Sequence, residues 1–76
     1  MTYDIRMQGK LYHIFSGSIE ENILYGKPDA AHDEVVEAAR KAYILDQIEA
    51  LPQGFKSQAL ALSGGQQQRI AIARAL

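Results

Sequence analysis

The 76-residue sequence contains no cysteine, which excludes disulfide staples and any thiolate metal site. Only two histidines occur, His13 and His32, and they lie too far apart for ligand spacing. Both read as solvated or loop residues, and no metal site is expected. A basic surplus is missing too. Eight Lys and Arg stand against nine Asp and Glu, a formal charge of −1, so there is no electrostatic footprint for nucleic acid. No stretch of about 18 apolar residues is present, and no charged-then-apolar leader. The chain is therefore expected neither to span a membrane nor to be exported, and a cytoplasmic location follows as an expectation.

A chain of this length makes one domain at most, and such a domain hides only about 60% of the surface its unfolded form exposes. The sequence is 47% hydrophobic, but much of that is alanine, which buries little area per residue. Stability must come from helix packing or from a partner surface. No repeat, low-complexity run or linker divides the chain.

The pattern is mainly α, about four helices forming a small helical unit, with one short N-terminal strand as an option. Tyr3, Ile5 and Met7 alternate with Asp4 and Arg6, the period of a half-buried strand. Ser18-Ile19-Glu20-Glu21 is a capping pattern that starts a helix reaching about Tyr25, where Gly26 and Pro28 stop it. A second helix is expected from Ala31 or His32 to Ala42, with Asp29 as a fallback cap. It carries Val35, Val36, Ala39 and Ala42 or Tyr43 on one face and a Glu37 to Lys41 ion pair on the other. Ile44, Leu45, Ile48 and Leu51 extend a helical stripe that Pro52 and Gly54 end. Tyr43-Ile44-Leu45-Asp46 looks like an apolar strand ending in a metal-binding acid, but its helical spacing decides against that. Tyr43 and Phe55 read as core or flanking aromatics.

The last segment carries the chemistry. Ser63 is a good N-cap and Gln66 stands three residues on, the reciprocal pattern that satisfies two orphan donors at a helix start. Gly64 and Gly65 fill the first two helical positions, at a cost of roughly 1 kcal/mol each relative to alanine. In exchange, an anion can approach bare N–H groups at the positive end of the helix dipole. Ile70, Ala73 and Leu76 form one face of this helix with Ile72 adjoining. Arg69 and Arg74 flank the stripe and by composition read as solvated.

Leu62-Ser63-Gly64-Gly65-Gln66, continuing through Gln67-Gln68-Arg69 to Leu76, resembles the signature segment of the ATP-binding-cassette (ABC) transporter ATPases, exporter branch. Phe15-Ser16-Gly17-Ser18-Ile19-Glu20-Glu21-Asn22-Ile23-Leu24-Tyr25-Gly26-Lys27-Pro28-Asp29-Ala30 resembles the opening of the helical subdomain in that branch. Glu34 to Ala39 and Leu51 to Phe55 fall between them in the expected order, so the resemblance covers about residues 14–76. It implies that 1–76 is a single partial domain, the helical and signature subdomain of a nucleotide-binding domain. There, Ser63, Gly64, Gly65 and Gln66 would cover the γ-phosphate of an ATP, with its Mg²⁺, held on the opposite nucleotide-binding subunit. The Ser63 hydroxyl and the Gly65 N–H would meet phosphate oxygens. Transmembrane domains are the other implied partners, and the implied place is the cytoplasmic face of a membrane.

The sequence departs from that family in stated places. No Gly-x-x-x-x-Gly-Lys-Ser/Thr run occurs, so the phosphate loop is absent, and the family's magnesium- and water-handling acids would lie beyond Leu76. Counting back from Phe15 puts Lys10 where the family has a glutamine that senses the metal, while Gln8 fits only with two residues inserted. Only Lys56-Ser57-Gln58-Ala59-Leu60-Ala61 stands where the family usually has a longer connection facing the transmembrane domains. The chain alone is thus expected to carry no catalytic residue, to hydrolyse no ATP and to bind it weakly. The alternative is a small helical interaction or structural module whose cap only starts a helix. Self-association through surfaces that normally touch the ATP-binding core belongs to this reading.

Overall fold

The computed structural model describes residues 13–76, and these form α1 (Ile19–Leu24), α2 (His32–Lys41), α3 (Leu45–Glu49) and α4 (Gly64–Ala75). Single 3-10 turns at Gly54–Lys56 and Ala59–Ala61 fill the connection between α3 and α4. The mainly helical reading holds. The alternation at Tyr3, Ile5 and Met7, and the question of Gln8 against Lys10, lie outside the described residues.

Helix α1 begins where the capping pattern put it. Ser18 Oγ accepts from the Glu21 N–H at 3.0 Å, and Glu21 Oε1 accepts from the Ser18 N–H at 2.8 Å. The Ser18 backbone N–H first, and the Ser18 hydroxyl second, hold the Glu21 carboxyl below its ordinary pKa. The preceding Gly17 has φ +136°, a conformation that favours glycine. Its carbonyl accepts from the Ala59 N–H at 2.9 Å while the Ile19 N–H donates to the Ser57 carbonyl at 2.9 Å. This antiparallel bridge of Ser18 with Gln58 ties the entry of α1 to the run leading into α4.

Helix α2 starts at His32, but Asp29 is not its cap. Ala31 holds the cap position and has no side-chain oxygen to offer, so only the return bond remains, from the Ala31 N–H to Glu34 Oε1 at 3.2 Å. His32 Nδ1 lies 2.9 Å from Glu20 Oε1, linking the first turns of α1 and α2. The outer face carries a Glu37 to Arg40 pair at i,i+3 in place of the expected Glu37 to Lys41 pair. The Arg fork reaches back along one turn and takes both carboxylate oxygens.

The helix ends in a way its residues disguise. The Tyr43 N–H donates to the Arg40 carbonyl and the Ile44 N–H to the Ala39 carbonyl, both at 3.1 Å, which is a Schellman ending. The left-handed position of that motif is normally glycine; here it is Tyr43, with φ +60°. Tyr43 is consequently turned outward and 80% exposed, so it is not a core aromatic. Phe55 is half-buried and meets the His32 ring edge-on at 5.4 Å.

The core gathers Ile14, Ile19 and Ile23 from the α1 side, Val35, Ala39 and Ala42 from α2, and Ile44 and Ile48 around α3. Ala59 and the α4 residues Ile70, Ala71 and Ala73 complete it. Helix α4 lies across α1 and α2. Small residues let it come close. A Cβ built on Gly26 would sit 2.3 Å from the Arg74 carbonyl oxygen, so only glycine fits where the end of α1 passes the end of α4. Asn22 is the one buried polar residue among those described, and every bond it can make is made. Its Nδ2 donates to the Phe15 and Ser18 carbonyls at 3.1 and 2.9 Å, and its Oδ1 accepts from the Phe15 N–H at 2.8 Å.

Candidate functional site

The start of α4 is built from its own residues. Ser63 is extended, with φ −65° and ψ 163°, and its Oγ accepts from the Gln66 N–H at 3.2 Å. Gln66 Oε1 returns the favour by accepting from the Ser63 N–H at 3.1 Å. With the Gln67 N–H bonded to the Ser63 carbonyl at 2.9 Å, the helical ladder is under way. Two first-turn donors are left over. No described residue accepts from the N–H of Gly64 or Gly65.

Neither glycine is required by the fold. Both lie at ordinary negative φ, and a Cβ built on either would meet nothing within 4 Å. They are exposed and face open space. Ser63 is exposed as well, and its hydroxyl accepts one bond while its own hydrogen remains available to donate. The first turn carries no acidic residue, and Arg74 lies in the last turn. Three donors thus stand at the positive end of a helix of 12 residues.

Around this turn the side chains are committed to structure. Gln67 Nε2 donates to the carbonyls of Leu60 and Leu62, at 3.3 and 2.9 Å, clasping the 3-10 turn that feeds α4. Gln66 Nε2 donates to Gln47 Oε1 on α3 at 2.7 Å. Arg69 is exposed, as its composition suggested, and reaches the Ala42 carbonyl at 3.4 Å. Arg74 is half-buried rather than freely solvated. Its Nε donates to the Asn22 carbonyl at 2.9 Å, and its guanidinium lies 5.1 and 5.4 Å from the ring centres of Phe15 and Tyr25. Burial pushes its pKa below the ordinary arginine value.

Sequence patterning drew attention to Ser63–Gln66 and missed Asn22, Arg74 and Gln47. Asn22 carried a signal, since it stands three residues after Ile19 on the buried side of α1. A groove of about 160 Å³ lies elsewhere, between α1, α2 and the end of α4, and includes Leu24, Val35, Ala38 and Leu76 in its lining but none of Ser63–Gln66. The glycine turn is an open surface. Among the described residues there is no acid or histidine cluster that could hold a metal ion, and no helix is long and apolar enough to cross a membrane.

No family model matches the chain. Individual proteins do. It is 57% identical over 67 residues to ABC transporter B family member 2 of Dictyostelium discoideum, covering 83% of this chain and 5% of that protein. It is 49% identical, again over 67 residues and 83% of the chain, to a multidrug efflux ATP-binding/permease protein of Mycobacterium bovis, of which it covers 6%. Among solved structures, a bacterial Atm1-family ABC exporter with ATP bound superposes with a TM-score of 0.76 at 46% identity, over 80% of this chain and 11% of that one. The chain therefore spans a small part of the length of the relatives it matches. Over the four fifths that align, fold and sequence agree, and the chain belongs to the ABC transporter family, in its exporter branch.

Proposed function

We propose that residues 1–76 are the helical, signature-bearing part of a nucleotide-binding domain. In this reading Ser63, Gly64 and Gly65 offer an anion half-site to the outer phosphate of an ATP held by an opposing subunit, with Gln66 shaping the turn. The observation that carries it is the pair of glycines whose missing side chains the fold does not need. A turn serving only to start a helix gains from alanine at both positions, by about 1 kcal/mol each. Glycine placed against that gradient, with two N–H groups unclaimed among the described residues, suits the close approach of a ligand atom. An ATP phosphate fits the donor set, three donors with no acid in the turn, and would supply the negative charge that they complement. A site on an open surface can contribute only part of the binding. A helix N-terminus adds about 0.3 to 1 kcal/mol, and about 2 when sheltered. Even millimolar affinity needs about 4 kcal/mol. The remainder must come from the opposing subunit that holds the ATP. The whole assembly would work at the cytoplasmic face of a membrane through its transmembrane domains, exporting a substrate those domains select.

The test is a resonance-by-resonance titration of the labelled chain. With ATP and Mg²⁺ alone, binding should stay weaker than millimolar. With an ATP-loaded exporter-type cassette subunit present, the Gly64 and Gly65 amides should broaden or shift in a nucleotide-dependent way. Saturable micromolar binding of ATP to the chain alone, or association that leaves both amides untouched, overturns the reading.

A further inference from the structure

The Gln66 side-chain amide has an accepting end and a donating end, and the capping box works with only one of them facing Ser63. Oε1 must meet the Ser63 N–H, as it does at 3.1 Å. Turned over, the amide would set its own N–H groups against that donor, and the box would open. The Ser63 N–H itself opposes the turned-over state, and a second contact comes from α3, 19 residues earlier in the chain, where Gln47 Oε1 accepts from Gln66 Nε2 at 2.7 Å. That bond braces the far end of the amide while its near end meets Ser63.

Gln47 is placed to do this by the core. Its neighbour Ile48 is fully buried and Leu45 packs against the same cluster, so the register of α3 sets where the exposed Gln47 side chain stands. The Arg69 bond to the Ala42 carbonyl fastens the approach to α3 against the next turn of α4. We infer that Gln47 is a positioning residue for the glycine turn: by accepting from Nε2 it braces the Gln66 amide in the orientation that holds Ser63. Both ends of the Gln66 side chain are then spent within the fold, Oε1 on Ser63 and Nε2 on Gln47. Its contribution to the half-site proposed above, on which the functional consequence rests, is to hold Ser63 with its hydroxyl hydrogen outward. It does not touch the phosphate.

Nucleotide-free measurements on the full 76-residue chain test the positioning separately from the phosphate reading. In Gln47→Ala the amide of Ser63 should exchange its hydrogen roughly 2- to 10-fold faster, the range a single net hydrogen bond covers, while the buried Ile48 and Ile70 amides keep their rates. In Gln47→Glu the ionised carboxylate still accepts from Gln66, so Ser63 keeps its protection at neutral pH. The Ser63 amide and the Gln66 side-chain resonances should then follow the titration of that new carboxyl, which a purely architectural contribution of α3 would not produce. Unchanged Ser63 exchange in Gln47→Ala, or Ser63 resonances in Gln47→Glu that ignore the carboxyl titration, overturns the inference. If these effects appear but the Gly64 and Gly65 amides stay indifferent to nucleotide on an opposing subunit, the positioning stands and the phosphate reading alone fails.

Discussion

Arg74 and Asn22, 52 residues apart, are joined twice: Arg74 Nε donates to the Asn22 carbonyl at 2.9 Å and Nη2 to Asn22 Oδ1 at 3.2 Å. This places the charged end of one helix residue over the amide that orders the Phe15 segment. The link therefore couples α4 to the entry of α1 through a partly buried polar network rather than through apolar contact alone.

Asn22→Leu should be the more damaging of the two obvious substitutions here. It leaves the Phe15 N–H and the Arg74 guanidinium without the Oδ1 that both use, and each lost partner in a buried setting costs about 1 to 3 kcal/mol. Arg74→Met keeps much of the packing against Phe15 and Tyr25 and should cost less. Urea denaturation of both variants beside the parent chain checks the order, and a milder effect of Asn22→Leu would contradict the network.

Gly26→Ala should act on the same seam by sterics. The added methyl would come within 2.3 Å of the Arg74 carbonyl, which belongs to backbone and cannot swing aside. Either α4 shifts or α1 unwinds, and a loss of about 1 to 3 kcal/mol is expected, the range for overpacked sites. Equal stability of this variant in thermal melts would mean that the two helices pack less closely than described.

How far the sequence showed this fold depends on the kind of signal. Capping boxes at Ser18 and Ser63 are local, each made by residues three apart, and both were legible to the residue. The break at Tyr43 was not, because the signal for a left-handed helix ending is glycine and this chain has tyrosine there. Arg74 was misread for a related reason. An arginine beside an apolar stripe is ordinarily solvated, and only the tertiary approach of Asn22, Phe15 and Tyr25 captures it. In the glycine turn, the residues that form it were readable. The Gln47 brace was not, since it joins positions 19 apart with no periodic relation.

Tyr43→Gly should stabilise the chain. A left-handed conformation costs an L-residue about 1 to 2 kcal/mol, and glycine removes that at the expense of greater freedom in the unfolded chain. With the ring 80% exposed, little buried area is lost. A net gain of up to about 1 kcal/mol is expected in denaturant titrations. A loss of stability would show that the ring makes a contribution its exposure does not suggest.

Acid should weaken the start of α1 in a traceable way. Glu21 has its pKa depressed in the folded chain by the Ser18 backbone N–H and then by the Ser18 hydroxyl. Its contribution is therefore fully present above the ordinary carboxylate pKa and is lost as pH falls through the lower folded value. Glu21→Gln keeps an accepting oxygen but cannot ionise. Its stability should change less than the parent's across that acidic window. Parallel pH profiles for the two chains would remove Glu21 from the account.

The glycine turn allows the sharpest separation of folding from function. Gly64→Ala and Gly65→Ala place methyl groups where nothing lies within 4 Å, at helical positions where alanine is favoured by about 1 kcal/mol. Each variant should melt higher than the parent. If the turn receives a phosphate, the same methyl groups stand in the path of the ligand, and the nucleotide-dependent response to an opposing cassette subunit should fall sharply at Gly65→Ala, whose N–H is the proposed phosphate donor. Opposite signs for stability and for engagement are what distinguish a ligand-facing turn from a helix start. Variants that gain stability and engage the subunit as well as the parent does would leave α4 as a scaffold element only.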